Sequence, residues 1–224
     1  MTQYDIIILK FKIIKKRGKV KKVIEIFRSR EELDKLVNLP NPRYKSGIRN
    51  RAILAVLCYG GLRVGELLNL KLSDIKKQDN AIKVDKAKGN TSRLVYVPSY
   101  LFHYIDEWKK VRPKSKFLFC SRYGKKLLNG YIQKMVKRYA KKLDPNKDIH
   151  PHCLRHSITT IWLKEGRNIR GIQKQLGHKN LNTTQIYLDY FDDERKKDFT
   201  KDKSDILDKI ELLEKELIAL KVSL

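Results

Sequence analysis

Two arginines, two histidines, a lysine and a tyrosine stand where this chain turns or opens a helix, and side chains of those types together suit attack on a phosphodiester. Arg155 lies in "HPHCLRH" with His150, His152, Cys153 and His156. Imidazole and thiol are good metal ligands, but a permanent guanidinium among them repels a cation, which argues against metal. The segment reads instead as an anion site, with the guanidinium forking onto two phosphate oxygens and an imidazole adding a donor. Arg63 follows the Gly60 and Gly61 break at the start of "RVGELLNL", where the amides of a helix start also favour anions. Lys88 sits in a strand-connecting turn, His178 follows Gly177 at a helix break, and Tyr187 lies nine residues further on. Any one of these arginines alone would read as a surface ion pair; it is the company they keep that suggests chemistry.

The charge balance points the same way. Lys and Arg number 51 against 25 Asp and Glu, a formal charge of +26 on 224 residues. That much like charge strains a compact fold unless a polyanion is its usual partner, and nucleic acid is the leading candidate. Lys-rich thermophile surfaces balance Lys with Glu in ion-pair networks, a balance absent here. With 41% hydrophobic residues the chain can bury one main core and a small appendage. Cys58, Cys120 and Cys153 form no CxxC pair and cannot all be bridged, which speaks against a disulfide framework or a zinc ribbon and fits a reducing compartment. The opening "DIIILKFKII" is broken by Lys10 and Lys12 and lacks both a basic start and a cleavage site. It predicts neither a signal peptide nor a membrane span, so a soluble, cytoplasmic protein is expected.

A frame must hold these groups in place. Residues 3–28 predict a basic β-hairpin, "YDIIILKFKII" and "KKVIEIF", with Gly18 supplying the turn. Ser29 and Glu32 predict a capping box that opens a short helix ending near "NLPNP". From Ile48, "IRNRAILAVLCYGG" predicts a helix stopped by Gly60 and Gly61, and "RVGELLNL" a second, short one. "AIKVDKAKGNTSRLVYVP" predicts two alternating strands joined at "AKGNTS" and closed by Pro98. The remainder to about Leu188 reads as mostly helix, broken at Pro113, Gly124, Pro145 and Gly177. The expected fold class is therefore mainly α with a small antiparallel β-sheet (α+β). From Asp192 onward acidic residues slightly outnumber basic ones, so this tail should not lie along DNA. Its Ile206, Ile210, Leu213, Leu217, Leu220 and Leu224 form the a/d seam of a helix that Ser204 is placed to cap. The seam wants an apolar partner, either the protein's own body or a neighbouring subunit.

In order along the chain, "GLRVGELLNL", "KAKGNTSRLVYVP", "HPHCLRHSITTIWLKEG" and "IQKQLGHKNLNTTQIY" closely resemble the successive signature boxes of the tyrosine site-specific recombinases, the family of the Xer recombinases and the phage and viral integrases. The resemblance runs over about residues 45–190, and its HxxR box and Gly-His-to-Tyr spacing are the most specific parts. It implies the tyrosine recombinase catalytic-domain fold for 45–198, between the basic β-rich segment read at 1–44 and the C-terminal amphipathic helix read at 199–224. It implies Arg63 as the first catalytic arginine and Glu66 as its supporting carboxylate. Lys88 takes the place of the catalytic lysine, with Lys86 the alternative; His152 and Arg155 match the HxxR pair, and His178 the position that is His or Trp. Tyr187 matches the nucleophile, with Tyr190 its internal rival.

The implied reaction makes physical sense of each role. A phenol of pKa about 10 is a poor nucleophile at neutral pH, so a base must take its proton and cations must stabilise its charge. His152 suits the base. Arg63, Arg155 and His178 suit the non-bridging oxygens of the pentacoordinate state, as a metal does elsewhere. Lys88 suits protonation of the leaving 5′-oxygen. A phosphodiester is exchanged for a 3′-phosphotyrosyl ester, so no metal, ATP or other cofactor is expected.

The expected function is a site-specific recombinase or integrase acting on double-stranded DNA, in integration or excision of a mobile element. It would work as a homo-oligomer, a tetramer in the DNA complex, at the nucleoid or in a host's cytoplasm, with no membrane involved. A type IB topoisomerase-like relaxase shares the chemistry and stays open, as does a non-catalytic DNA-binding protein. Two departures from the family stand out. Its members usually carry a helical core-binding domain ahead of the catalytic one, whereas about 45 β-rich residues precede the match here, and "KAKG" replaces the commoner GKG. The family also exchanges a C-terminal segment around a tetramer, which the seam from Ile206 to Leu224 resembles.

Overall fold

Capping and glycine stops account for most element boundaries in the computed structural model, which describes residues 26–85 and 92–177. The predicted hairpin falls almost wholly outside the described residues, and the C-terminal seam wholly so. Helix α1 spans Arg30–Asn38. Ser29 Oγ accepts from the Glu32 N–H at 3.3 Å, while the Glu32 carboxylate reaches back to the Arg28 N–H at 2.5 Å. Leu33, Leu36 and Val37, three and four residues apart, turn the apolar stripe of α1 to the core, where Phe27 joins them.

Helix α2, Lys45–Gly60, is buried on every side from Ala52 to Gly60, the pattern of a central helix. Around it pack α1, helix α4 (Leu101–Val111) and helix α6 (Pro151–Lys164). Gly61 ends α2 in the left-handed region at φ 63°, and a Cβ there would sit 3.2 Å from both Ile158 Cγ2 and Leu176 Cδ2. Only glycine gives this turn together with this close approach.

The chain re-enters a helix at α3, Val64–Asn69, and passes a 3₁₀ turn at Leu72–Asp74. A three-stranded antiparallel sheet follows in the order β1 (Ile75–Lys76), β2 (Ala81–Asp85), β3 (Ser92–Tyr96). The strand β1 escaped the sequence pattern because two residues show no period. Asp85 pairs with Ser92 at the last described rung before the connection that contains Lys88.

The remaining elements are α5, Asn129–Leu143, and α7, Ile169–Leu176. Pro151 opens α6, where a missing N–H is harmless, and the Asn168 side chain caps α7. Residues 112–128 between α4 and α5 are not helical; Arg112 Nη2 binds the carbonyls of Ser115 and Phe117, and Trp108 Nε1 that of Leu118. The predicted fold class holds: mainly helical with a small antiparallel sheet. All three cysteines are buried and none is in a disulfide. Among the described residues no helix is long and apolar enough to cross a membrane.

Candidate active site

Three turns of backbone meet where the sequence motifs predicted an anion site: the Gly61 turn, the N-terminal half of α6 and the C-terminal end of α7. Arg155 is 4% exposed. Its Nη1 donates to the Gly61 carbonyl and its Nη2 to the Leu176 carbonyl, each at 2.7 Å. Two carbonyl acceptors thus fix the plane of a buried guanidinium. Arg63, the N-cap of α3, also directs Nη1 to the Leu176 carbonyl in a longer contact of 3.5 Å, with its side chain 47% exposed. Gly177 then caps α7 at φ 67°, one residue before His178.

Glu66 stands at the third position of α3 and accepts the Arg63 backbone N–H at 2.9 Å, so that amide is already occupied. Its ion pair with the Arg63 side chain is loose at 3.3 Å. The tighter partner is Arg93 on β3, which donates Nη1 to Oε1 at 2.9 Å and Nη2 to Oε2 at 3.0 Å. Burial pushes the Glu66 carboxyl up, but the bonds from Arg93 and the Arg63 amide, and the charges of both arginines, outweigh it and hold the group below its ordinary value.

Arg93 went unnoticed in the motif reading. A signal was available: alternation in "RLVYV" puts Arg93 on the same face as Val95, opposite the buried Val84, and an arginine on a core-facing register position calls for a carboxylate.

His152 projects from the first turn of α6 and is exposed. Its ring stacks parallel to His150 at 6.4 Å and meets His156 edge-on at 4.4 Å. Partial desolvation, then the positive surroundings of Arg155, His150 and Arg63, lower its pKa from the usual imidazole value and so favour the neutral base. Cys153 turns inward into the core, away from any ligand set with these imidazoles. Among the described residues no group of three or more His, Cys, Asp or Glu side chains could hold a metal ion. Of the predicted site residues, Arg63, Glu66, His152 and Arg155 are therefore drawn into one neighbourhood, while Lys86, Lys88, His178, Tyr187 and Tyr190 lie outside the described residues.

Comparison with known proteins agrees with this geometry. The profile of the phage integrase family matches residues 27–194. The chain belongs to the phage integrase family. Tyrosine recombinase XerC of Haemophilus influenzae is 40% identical over 144 residues, covering 62% of this chain and 48% of that protein. A tyrosine recombinase of Thermosipho africanus is 32% identical over 181 residues, covering 80% and 62%. This member of the phage integrase family thus spans about half the length of the curated relatives it matches first. Among solved structures, XerA recombinase superposes with a TM-score of 0.66 at 33% identity over 75% of this chain and 61% of that one. XerH, solved on a palindromic difH substrate, gives 0.69 at 28% identity over 82% and 54%. The fold is that of the tyrosine recombinase catalytic domain.

Proposed function

We propose that this chain cuts and rejoins double-stranded DNA at specific sites, as a recombinase or integrase, through a 3′-phosphotyrosyl intermediate. The observation that carries the reading is the convergence of Arg63 and Arg155 on the Leu176 carbonyl, with His152 in the helix that bears Arg155. Relatives named as tyrosine recombinases and a neighbour solved on its difH substrate support it.

In the proposed step the Tyr187 oxygen bonds to the scissile phosphorus as the bond to the 5′-oxygen breaks. His152 takes the phenolic proton and Lys88 supplies one to the leaving oxygen. Arg63, Arg155 and His178 donate to the non-bridging oxygens, where preorganised cations act most strongly on developing charge. Glu66 keeps Arg63 in place. Attack by a 5′-hydroxyl of another strand reverses the exchange, so the step consumes no cofactor. Residues 45–198 carry this reaction, the basic segment 1–44 adds to DNA contact, and the helix at 199–224 links copies into a tetramer on DNA. Integration or excision of a mobile element, in the cytoplasm of the cell that holds it, is the role this assigns.

The test needs no known site. The protein is incubated with total DNA from its source, denatured, and covalently bound fragments are sequenced, alongside Tyr187→Phe and Tyr190→Phe. Adducts at the 3′-phosphate that cluster at a paired repeat and vanish only with Tyr187→Phe are expected. Adducts scattered without preference would indicate a topoisomerase-like relaxase, and binding without any adduct a non-catalytic protein.

A further inference from the structure

We infer that Arg93 is a positioning residue of this reaction: by occupying both oxygens of Glu66 it keeps Arg63 only loosely paired and so available to phosphate. The inference rests on the recombinase reading above. Glu66 sits beside two arginines, and its carboxylate can fork onto only one of them. Arg93 takes that fork, at 2.9 and 3.0 Å, with its side chain 11% exposed, whereas the Arg63 guanidinium reaches Glu66 only through Nη1, at 3.3 Å, and its side chain is 47% exposed. Arg63 and Arg93 compete for one anion, and Arg93 is the better placed.

Arg93 also ties together the segments that bear the candidate residues. Its Nε donates to the Gln175 carbonyl at 3.0 Å, near the α7 end that leads to His178. The Gln175 side chain in turn brackets the Tyr96 backbone, accepting from its N–H at 3.1 Å and donating to its carbonyl, so β3 is held against α7. Gly177 makes room for this: a Cβ there would lie 2.9 to 3.0 Å from three atoms of the Arg93 guanidinium. β3 itself begins immediately after the connection containing Lys88. One partly buried cation therefore links the Arg63 turn, the strand after Lys88 and the helix end before His178.

Without Arg93, Glu66 turns its fork onto Arg63 and withdraws it from the phosphate. The consequence separates a positioning role from a purely structural one: removing the charge of Glu66 should then restore activity. The measurement is the single-turnover rate of adduct formation on the duplex most enriched among the adducts of the unmutated protein, with duplex affinity and thermal stability followed in parallel. Arg93→Ala should slow adduct formation by about 10²-fold, the scale on which a displaced catalytic group lowers a rate, while duplex affinity stays within about threefold. Arg93→Ala with Glu66→Gln should be about ten-fold faster than Arg93→Ala alone, since the amide still accepts the Arg63 N–H but no longer captures its guanidinium. Should Arg93→Ala fail to fold, Arg93→Lys, which can hold one oxygen but not two, should show a smaller loss and the same rescue. A rate for the single variants within about threefold of the unmutated protein, or a double variant no faster than its parent, overturns the inference. Absence of any adduct with the unmutated protein overturns the recombinase reading, and this inference with it.

Discussion

Arg63 and Arg155 donate to one acceptor, the carbonyl of Leu176, at 3.5 and 2.7 Å. A buried carbonyl that receives two guanidinium groups fixes their separation without cancelling their charge, a geometry suited to holding an anion between cations. Arg155 has the larger structural share because it also spans to Gly61. Arg155→Lys keeps the charge, yet one ammonium cannot bridge both carbonyls in the same geometry. Leaving a buried acceptor unpaired should reduce unfolding free energy by about 1–3 kcal/mol, read from urea denaturation. An unchanged midpoint would show that the bridge contributes nothing to the fold.

The second expectation concerns His152. Partial desolvation leads the causes that lower its pKa, followed by the charges of Arg155, His150 and Arg63. An NMR titration of the imidazole should give a value below the usual figure of about 6.5. Arg63→Ala should raise it, because one repelling charge is removed. For stability the sign follows from the unfolded chain binding more protons than the folded one between the two pKa values. The contribution of His152 therefore grows as pH rises through that window and is lost on acidification. A titration at or above the usual value would contradict the electrostatic picture of the site.

Gly177 is the third test. Alanine at φ 67° costs about 1 kcal/mol from the backbone alone. The added Cβ also meets the Arg93 guanidinium. Gly177→Ala should therefore lower stability by about 1–2 kcal/mol, and by less when Arg93→Ala is already present, since the clashing group is gone. Equal losses in the two backgrounds, measured by chemical denaturation, would rule out the close contact.

The fourth lies away from the site. The N–H of Phe27 donates to Ser157 Oγ at 2.8 Å in a buried bond that joins the entry of the described chain to α6. Ser157 Oγ itself donates to the Cys153 carbonyl. Ser157→Ala leaves the Phe27 amide buried without that acceptor and should cost about 1–3 kcal/mol. A loss under about 0.5 kcal/mol, the level of ordinary surface changes, would mean that this bond does not hold Phe27 in place.

Much of the frame was legible because its causes are local. Ser29 opens α1, the left-handed Gly61 and Gly177 close α2 and α7, and alternation from Ala81 and from Ser92 marks two strands. The site was legible in part: Arg63, Glu66, His152 and Arg155 stand in motifs whose order along the chain carries the family resemblance. β1 was not, since a two-residue strand exists only through its partner β2.

The sequence by itself determined which chemical groups are present, in which order, and on which helix or strand each belongs, because capping, glycine conformation and side-chain periodicity act over a few residues. Only the tertiary structure decided that Glu66 pairs chiefly with Arg93 rather than with its neighbour Arg63, and that Arg63 and Arg155 share the Leu176 carbonyl. Those choices depend on how α3, β3, α6 and α7 dock around one core, and hydrogen bonds at 2.7 to 3.0 Å are decided by that docking, not by spacing along the chain.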